Sequence, residues 1–287
     1  MAREIYIKNT RLLKRALKIE EILAKKESWH YGYADEYGRM TFSEKDKDAQ
    51  LMLFDSDMIG RGIQIVDSNR HEVHLALSMP ATKEDVVMLY EVARQVANLW
   101  KTDSIMVEED TVSLSAIESN IDWDIKECIK CLENSRETFH QSKCVILPCA
   151  IYPLHFSLEQ LMDFSTDYDR FSVYLHEKQS IGAFMSSAIY AGSDGAYAVF
   201  YVVYPGGAII LPKEPAMKFS ANEESYTCAE ALVAASGLFP GGNAPQMDYQ
   251  DFLQKLSSDK ITDFDEGRIL VGPFTREELI EIFKQNN

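Results

Sequence analysis

The densest collection of reactive side chains is Cys128, Cys131, His140, Cys144 and Cys149. A C-x-x-C pair followed by a histidine and two further thiols has the content of a zinc site. Its spacing argues otherwise. At about 100° per residue, Cys128 joins the apolar stripe of Ile121, Ile125, Ile129 and Leu132 on one helix face, with Cys131 at its edge. Cys144 and Cys149 flank an apolar strand at a separation unlike a zinc knuckle. The first pair also lies mid-helix, away from the N-terminal turn where the helix dipole would lower a thiol pKa for redox work. The cysteines are therefore expected to be structural, with no metal and no other cofactor.

The histidines, serines and glycines give no stronger site. His71 and His74 bracket the start of a strand and, three apart, face opposite sides of it. His176-Glu177 lacks the second histidine four residues after the first that a zinc-protease helix needs. There is no G-x-S-x-G elbow, and AGSDGAY from Ala191 reads as a turn. Neither a Walker A loop nor a dinucleotide glycine pattern occurs; GRG before Ile63 and PGGN from Pro240 are explained as turns. Asp163, Asp167 and Asp169 in DFSTDYDRF lack the loop length and terminal glutamate of a calcium site. The catalytic residues are thus unknown, and an enzyme is the less favoured class.

One segment remains. WHYGYADEYGR sets Trp29, Tyr31, Tyr33 and Tyr37 beside Asp35 and Glu36 in a stretch without period, read as an irregular loop over 29–48. Aromatic rings on a loop are good contact anchors, and acidic neighbours favour a basic protein partner. These six residues are the candidate binding site. The plainer account is that the rings cover the domain's own core.

The elements that must position these residues mix both periods. Leu12, Ala16, Ile19 and Leu23 recur at helical spacing after a short strand at Glu4 to Lys8. Such a basic stripe packs on a sheet more readily than on a membrane, because Glu20, Glu21 and Glu27 interrupt its basic face. Leu51 to Phe54, Gly62 to Val66 and Glu72 to Met79 read as an antiparallel meander. Thr82 and Asp85 form a capping box ahead of a helix whose face is Val86, Leu89, Tyr90, Ala93, Val96, Ala97 and Trp100. The runs Ile105 to Val107 and Thr111 to Leu114 flank an acidic turn, and a second long helix starts at about Asp122.

Further on, Cys144 to Leu147 and Ala150 to Tyr152 are strand candidates, Ser157 with Gln160 opens a helix, and Tyr168 to Gln179 forms another. YAVFYVVYPGGAIILP is the strongest hairpin signal. Ala229 to Ala235, a helix near Asp248 to Leu256, a strand at Arg268 to Val271 and a helix capped by Thr275 and Glu278 complete the pattern. The expected class is α+β, mainly antiparallel sheets with helices packed on them. The polar fade from Asn134 to Lys143 divides it into two halves of similar size, 1–138 and 139–287, which also fit one continuous unit.

The net charge of -16 repels phosphate backbones and anionic membranes, so neither nucleic acid nor a membrane is an expected partner. Residues 1 to 27 carry eight basic and four acidic side chains, which leaves -20 on residues 28 to 287. MAREIYIKN lacks the apolar stretch of a signal peptide, and an odd cysteine count of five suits reduced thiols, so the expected compartment is the cytoplasm. A non-enzymatic protein-binding protein of the immunity or accessory kind fits these features. The competing readings are a hydrolase or transferase whose site is dispersed in sequence, and a small-molecule sensor.

The segments IGRG at Ile59 to Gly62, LSMPATKEDVVMLYEVA, FSVYLHEKQ at Phe171 to Gln179, and AIILPKEP make the chain resemble a bacterial family, domain of unknown function 4299. The resemblance spans nearly the whole chain. It implies a bacterial cytosolic protein, and it brings no activity or site residues to carry over.

Overall fold

The computed structural model describes residues 2–34, 40–41, 50–139, 144–185, 187–191, 197–215, 228–238 and 244–284. The fold is α+β, and its chain divides into two compact units: Met1–Pro153 with Ser157–Ser180, and Leu154–Phe156 with Ile181–Asn287. The polar fade expected to separate two halves at 138/139 falls inside the first of these. It does so because the helices that follow it pack on those that precede it.

In the first unit, strands β1 (Ala2–Lys8), β2 (Trp29–Ala34), β3 (Met40–Thr41), β4 (Gln50–Asp55), β5 (Ile63–Ser68), β6 (Glu72–Ser78), β7 (Ser104–Val107) and β8 (Asp110–Ser113) form one sheet. Its order is β3-β2-β4-β5-β6-β1-β7-β8, antiparallel at every pairing. Register puts Tyr33, Leu51, Ile65, Leu75, Ile5 and Val107 in one row across it. That row shares a face with the core into which the helices pack.

The helices are α1 (Ile19–Leu23), α2 (Lys83–Trp100), α3 (Ile117–Glu133), α4 (Ser135–Thr138), α5 (Leu158–Thr166) and α6 (Tyr168–Gln179), with a short strand β9 at Val145–Leu147. α2 lies against the sheet with all seven residues of its expected face buried. Ser157 caps α5 by accepting the amide of Gln160, as its spacing anticipated.

Two expectations for this unit are corrected. The helical stripe from Leu12 yields helix only from Ile19: the side chain of Asn9 donates to the carbonyls of Arg15 and Arg70, bending 9–18 into a loop. The supposed irregular stretch 29–48 contains β2 and β3, because Trp29, Tyr31 and Tyr33 alternate with His30, Gly32 and Ala34 and pair in register with β4.

Three of the four segments that carry the family resemblance meet at the start of α2. Asp85 accepts from the amides of Arg61 (2.8 Å), Gly62 (3.0 Å) and Thr82 (3.1 Å) and from the Thr82 hydroxyl (2.8 Å). A Cβ at residue 60 would fall 2.2 Å from Asp85 Oδ2, and Gly62 has φ +73°, so both glycines are demanded by the backbone. The buried Arg61 guanidinium donates to the carbonyls of Pro148 and Pro80. From α6, His176 Nδ1 accepts the Ile59 amide, and Gln179 holds the amides of Ile151 and Tyr152. These motifs hold backbone together.

The second unit contains β10 (Leu154–Phe156), β11 (Ala183–Phe184), β12 (Ser187–Ala191), β13 (Tyr197–Val203), β14 (Ala208–Pro212), β15 (Cys228–Ala235), β16 (Gln246–Asp248), β17 (Ile261–Asp263) and β18 (Arg268–Val271), with helices α7 (Tyr249–Lys255) and α8 (Arg276–Phe283). Two four-stranded sheets result, β12-β13-β15-β16 and β11-β14-β18-β17. The expected hairpin of β13 with β14 is therefore overturned. β13 pairs with β12 and β15, and β14 with β11 and β18, so the Pro205-Gly206-Gly207 turn passes the chain from one sheet to the other. Gly206 has φ +83°, and a Cβ at Gly207 would sit 2.2 Å from the Tyr204 ring. β11–β14 and β13–β15 are parallel, an exception in a mostly antiparallel fold.

The turns read at AGSDGAY and PGGN fall largely outside the described residues, as does His140.

Candidate functional site

The residues singled out in the sequence are mostly occupied with structure. Trp29 is 3% exposed in the core of the first unit, where the Lys25 ammonium lies 5.7 Å from its ring centroid. Tyr31 packs against that core and meets the Tyr33 ring edge-on at 6.0 Å. Asp35, Glu36 and Tyr37 lie outside the described residues.

Cys128 is buried in the same core and accepts the Ala81 amide, and burial pushes its thiol up to about 11. Cys131 is half-buried, its thiol also pushed up by burial, and the buried Cys149 thiol donates to the Leu147 carbonyl. Among the described residues, no three of the histidine, cysteine, aspartate and glutamate side chains are grouped to hold a metal ion. A thiol held protonated and out of solvent is a poor nucleophile. In native protein near pH 8, Cys128 is expected to resist iodoacetamide, and to label after denaturation. Peptide mass spectrometry checks this; native labelling at a rate matching free cysteine would contradict the buried placement.

A different surface has the attributes of a site. The β7–β8 hairpin turns through Glu108 and Glu109, with Glu108 in the left-handed region at φ +54° and its amide bonded to the Glu4 carbonyl. Beside it, α3 presents Trp123 with 51% of its area exposed. Between hairpin and helix lies a groove of about 340 Å³, lined by Arg3, Val107, Glu108, Asp110, Ser119, Asn120 and Trp123.

A buried network fixes the floor. Arg3, on β1, donates through Nε to Asp124 Oδ1 at 2.8 Å and pairs with Glu108 at 3.0 Å. Tyr90, on α2, donates its hydroxyl to the other Asp124 oxygen at 2.7 Å. Burial opposes the charge on Arg3, but the hydrogen bond and charge of Asp124 outweigh it and hold the guanidinium pKa above its usual value. Burial likewise pushes the Asp124 carboxyl up, against the bonds from Tyr90 and Arg3. The Arg3 guanidinium also lies 4.8 Å from the Trp123 ring centroid, so one cation orders both the acid and the indole.

The outcome is a half-exposed indole over the Arg3 guanidinium, beside Asp110 and the Glu108 carboxylate that Arg3 holds. Of the lining groups, the Ser119 hydroxyl donates to the Ala116 carbonyl and the Glu108 carboxylate pairs with Arg3. The groove can anchor a side chain by stacking and pair a cation at its rim. The sequence held a usable signal: on the α3 stripe of Ile121, Ile125 and Leu132, Trp123 points about 200° away from Ile121, a large aromatic on a polar face. The Arg3–Asp124–Tyr90 contact, joining three elements far apart in the chain, had none.

No curated protein and no solved structure matches the chain. The chain belongs to the family described as domain of unknown function (DUF4299), whose model matches residues 2–282.

Proposed function

We propose that this is a non-enzymatic, cytosolic bacterial binding protein of the immunity or accessory kind, which engages a basic protein partner through the Trp123 groove. The observation that carries the reading is the half-exposed indole set beside Glu108 and Asp110 and ordered from beneath by Arg3 and Asp124. Interfaces concentrate their energy in such rigid aromatic anchors, while surrounding charges of one sign select the partner and speed encounter. The net charge of -16 supports a cationic partner, and the Cys128 thiol, buried and outside any disulfide, suits a reducing compartment.

Three side chains that a dispersed hydrolytic site could draw on are engaged in the fold. His176 receives the Ile59 amide, Asp167 caps α6 by accepting from Arg170, and Cys128 is core.

Affinity capture from native lysate with wild-type and Trp123→Ala protein tests the proposal. A basic protein retained at low salt is expected to be released at high salt and to bind Trp123→Ala roughly 30-fold more weakly, as for a central aromatic anchor. Asp110→Lys is expected to weaken it too, mainly through a slower association rate. Capture unaffected by both substitutions, or no retained protein at low salt, would remove the groove from consideration.

A further inference from the structure

The loop that replaces the expected helix after β1 carries the most exposed apolar side chains described in the protein. Leu12 is 99% exposed and its neighbour Leu13 87%. The loop is pinned at its base. The Asn9 amide donates to the His71 carbonyl, the Asn9 side chain bonds the Arg70 carbonyl at 2.9 Å and accepts the Arg11 amide at 3.1 Å, and Arg15 forms a two-pronged ion pair with Glu21. Two leucines therefore project from a fixed stem.

Lys8, Arg11, Lys14 and Lys18 flank the leucines, Arg15 being neutralised by Glu21, and no acidic residue lies between Ile5 and Ile19. The local charge is opposite to that of the body, which carries -20 over residues 28 to 287. At physiological ionic strength charges interact over roughly 8 Å, so what touches this loop senses its cations first.

We propose that the Leu12–Leu13 loop docks the protein on an anionic lipid bilayer, the leucines entering the acyl boundary and the flanking lysines and Arg11 meeting lipid phosphates. An exposed pair of leucines with cations on both sides needs no complementary pocket. A fluid anionic interface offers apolar volume and diffuse negative charge together. Among the described residues no helix is long and apolar enough to cross a membrane, so this contact is peripheral. It uses a different surface from the Trp123 groove and does not depend on it.

Co-sedimentation of the full chain with vesicles tests the inference. Retention is expected on phosphatidylcholine vesicles containing phosphatidylglycerol and not on phosphatidylcholine alone. Combining Leu12→Ser with Leu13→Ser is expected to lower partitioning roughly tenfold, since attachment scales with the apolar area inserted. Its circular dichroism and unfolding transition should stay unchanged, because both side chains face solvent. Lys14→Glu with Lys18→Glu, or raising salt from about 0.1 M to about 0.5 M, should also release the protein. No retention on the mixed vesicles, or equal retention of the double serine variant, overturns the proposal. So does a concentration-dependent dimer in sedimentation equilibrium that the serine substitutions abolish while no vesicle binding occurs.

Discussion

Replacing Asp85 by alanine is expected to cost the first unit about 3–5 kcal/mol, because the change leaves several buried donors without an acceptor at once. The carboxylate receives three backbone amides and one hydroxyl within 2.8 to 3.1 Å, in a position shielded from water. Each orphaned buried donor costs about 1–3 kcal/mol before relaxation, and loss of the Thr82–Asp85 capping box adds about 1 kcal/mol. The negative charge that faces the buried Arg61 guanidinium also disappears. Asn at this position keeps the shape and one acceptor but turns an amide donor toward other donors, so it should recover only part of the loss.

Urea unfolding followed by circular dichroism measures the difference. For a unit of this size about 3–5 kcal/mol corresponds to a fall in Tm of roughly 6–20 °C. A loss below about 1 kcal/mol would mean that water replaces the carboxylate, and the account of the Ile59–Gly62 motif as a backbone clamp would fail. Gly60→Ala tests the same clamp from its other side, since the added methyl group meets Asp85.

What the sequence revealed of this clamp is uneven, and the reason is physical. Capping boxes and helix faces are local, set by side chains three or four residues apart, and Thr82–Asp85, Ser157–Gln160 and Thr275–Glu278 all cap as their spacing indicates. That Asp85 would also bind Arg61 and Gly62 was not legible, since the contact depends on how β5 returns beneath α2. Turn chemistry was similarly half-informative. Pro205-Gly206-Gly207 does reverse the chain, but composition cannot say which strand receives it, and β14 joins a sheet other than that of β13.

The loop at 9–18 shows a local signal losing to a tertiary one. Leu12, Ala16 and Ile19 have helical spacing, yet the bonds from Asn9 to Arg15 and Arg70 hold the backbone out of the helix and leave Leu12 and Leu13 without apolar partners. Aromatic content was informative about packing only in part. The ring-rich segment at Trp29 supplied core and strand, whereas the exposed indole is the isolated Trp123 on α3. A ring's position relative to its helix's apolar face foretells its exposure here, whereas the local density of rings does not.

Breaking the ion pair of Arg268 with Asp265 is expected to be the corresponding lesion in the second unit, at about 3–5 kcal/mol for Asp265→Ala. Both side chains are completely shielded from solvent, and Asp265 clasps the guanidinium with both oxygens while accepting the amides of His155 (2.9 Å) and Gly267 (3.1 Å). It thus fixes β10 and the turn before β18 as well as a charge. Removing the acid takes the counter-charge from a buried guanidinium and an acceptor from two buried amides, which is far worse than removing both charges together. Arg268→Met combined with Asp265→Asn should therefore cost less than Asp265→Ala alone, because the asparagine carbonyl still serves an amide and no cation is left unpaired. Denaturant unfolding of Asp265→Ala, of Arg268→Met and Asp265→Asn singly, and of their combination decides it. A double variant as unstable as the sum of its single variants would show that the pair is uncoupled, and that the buried charges are not held by each other.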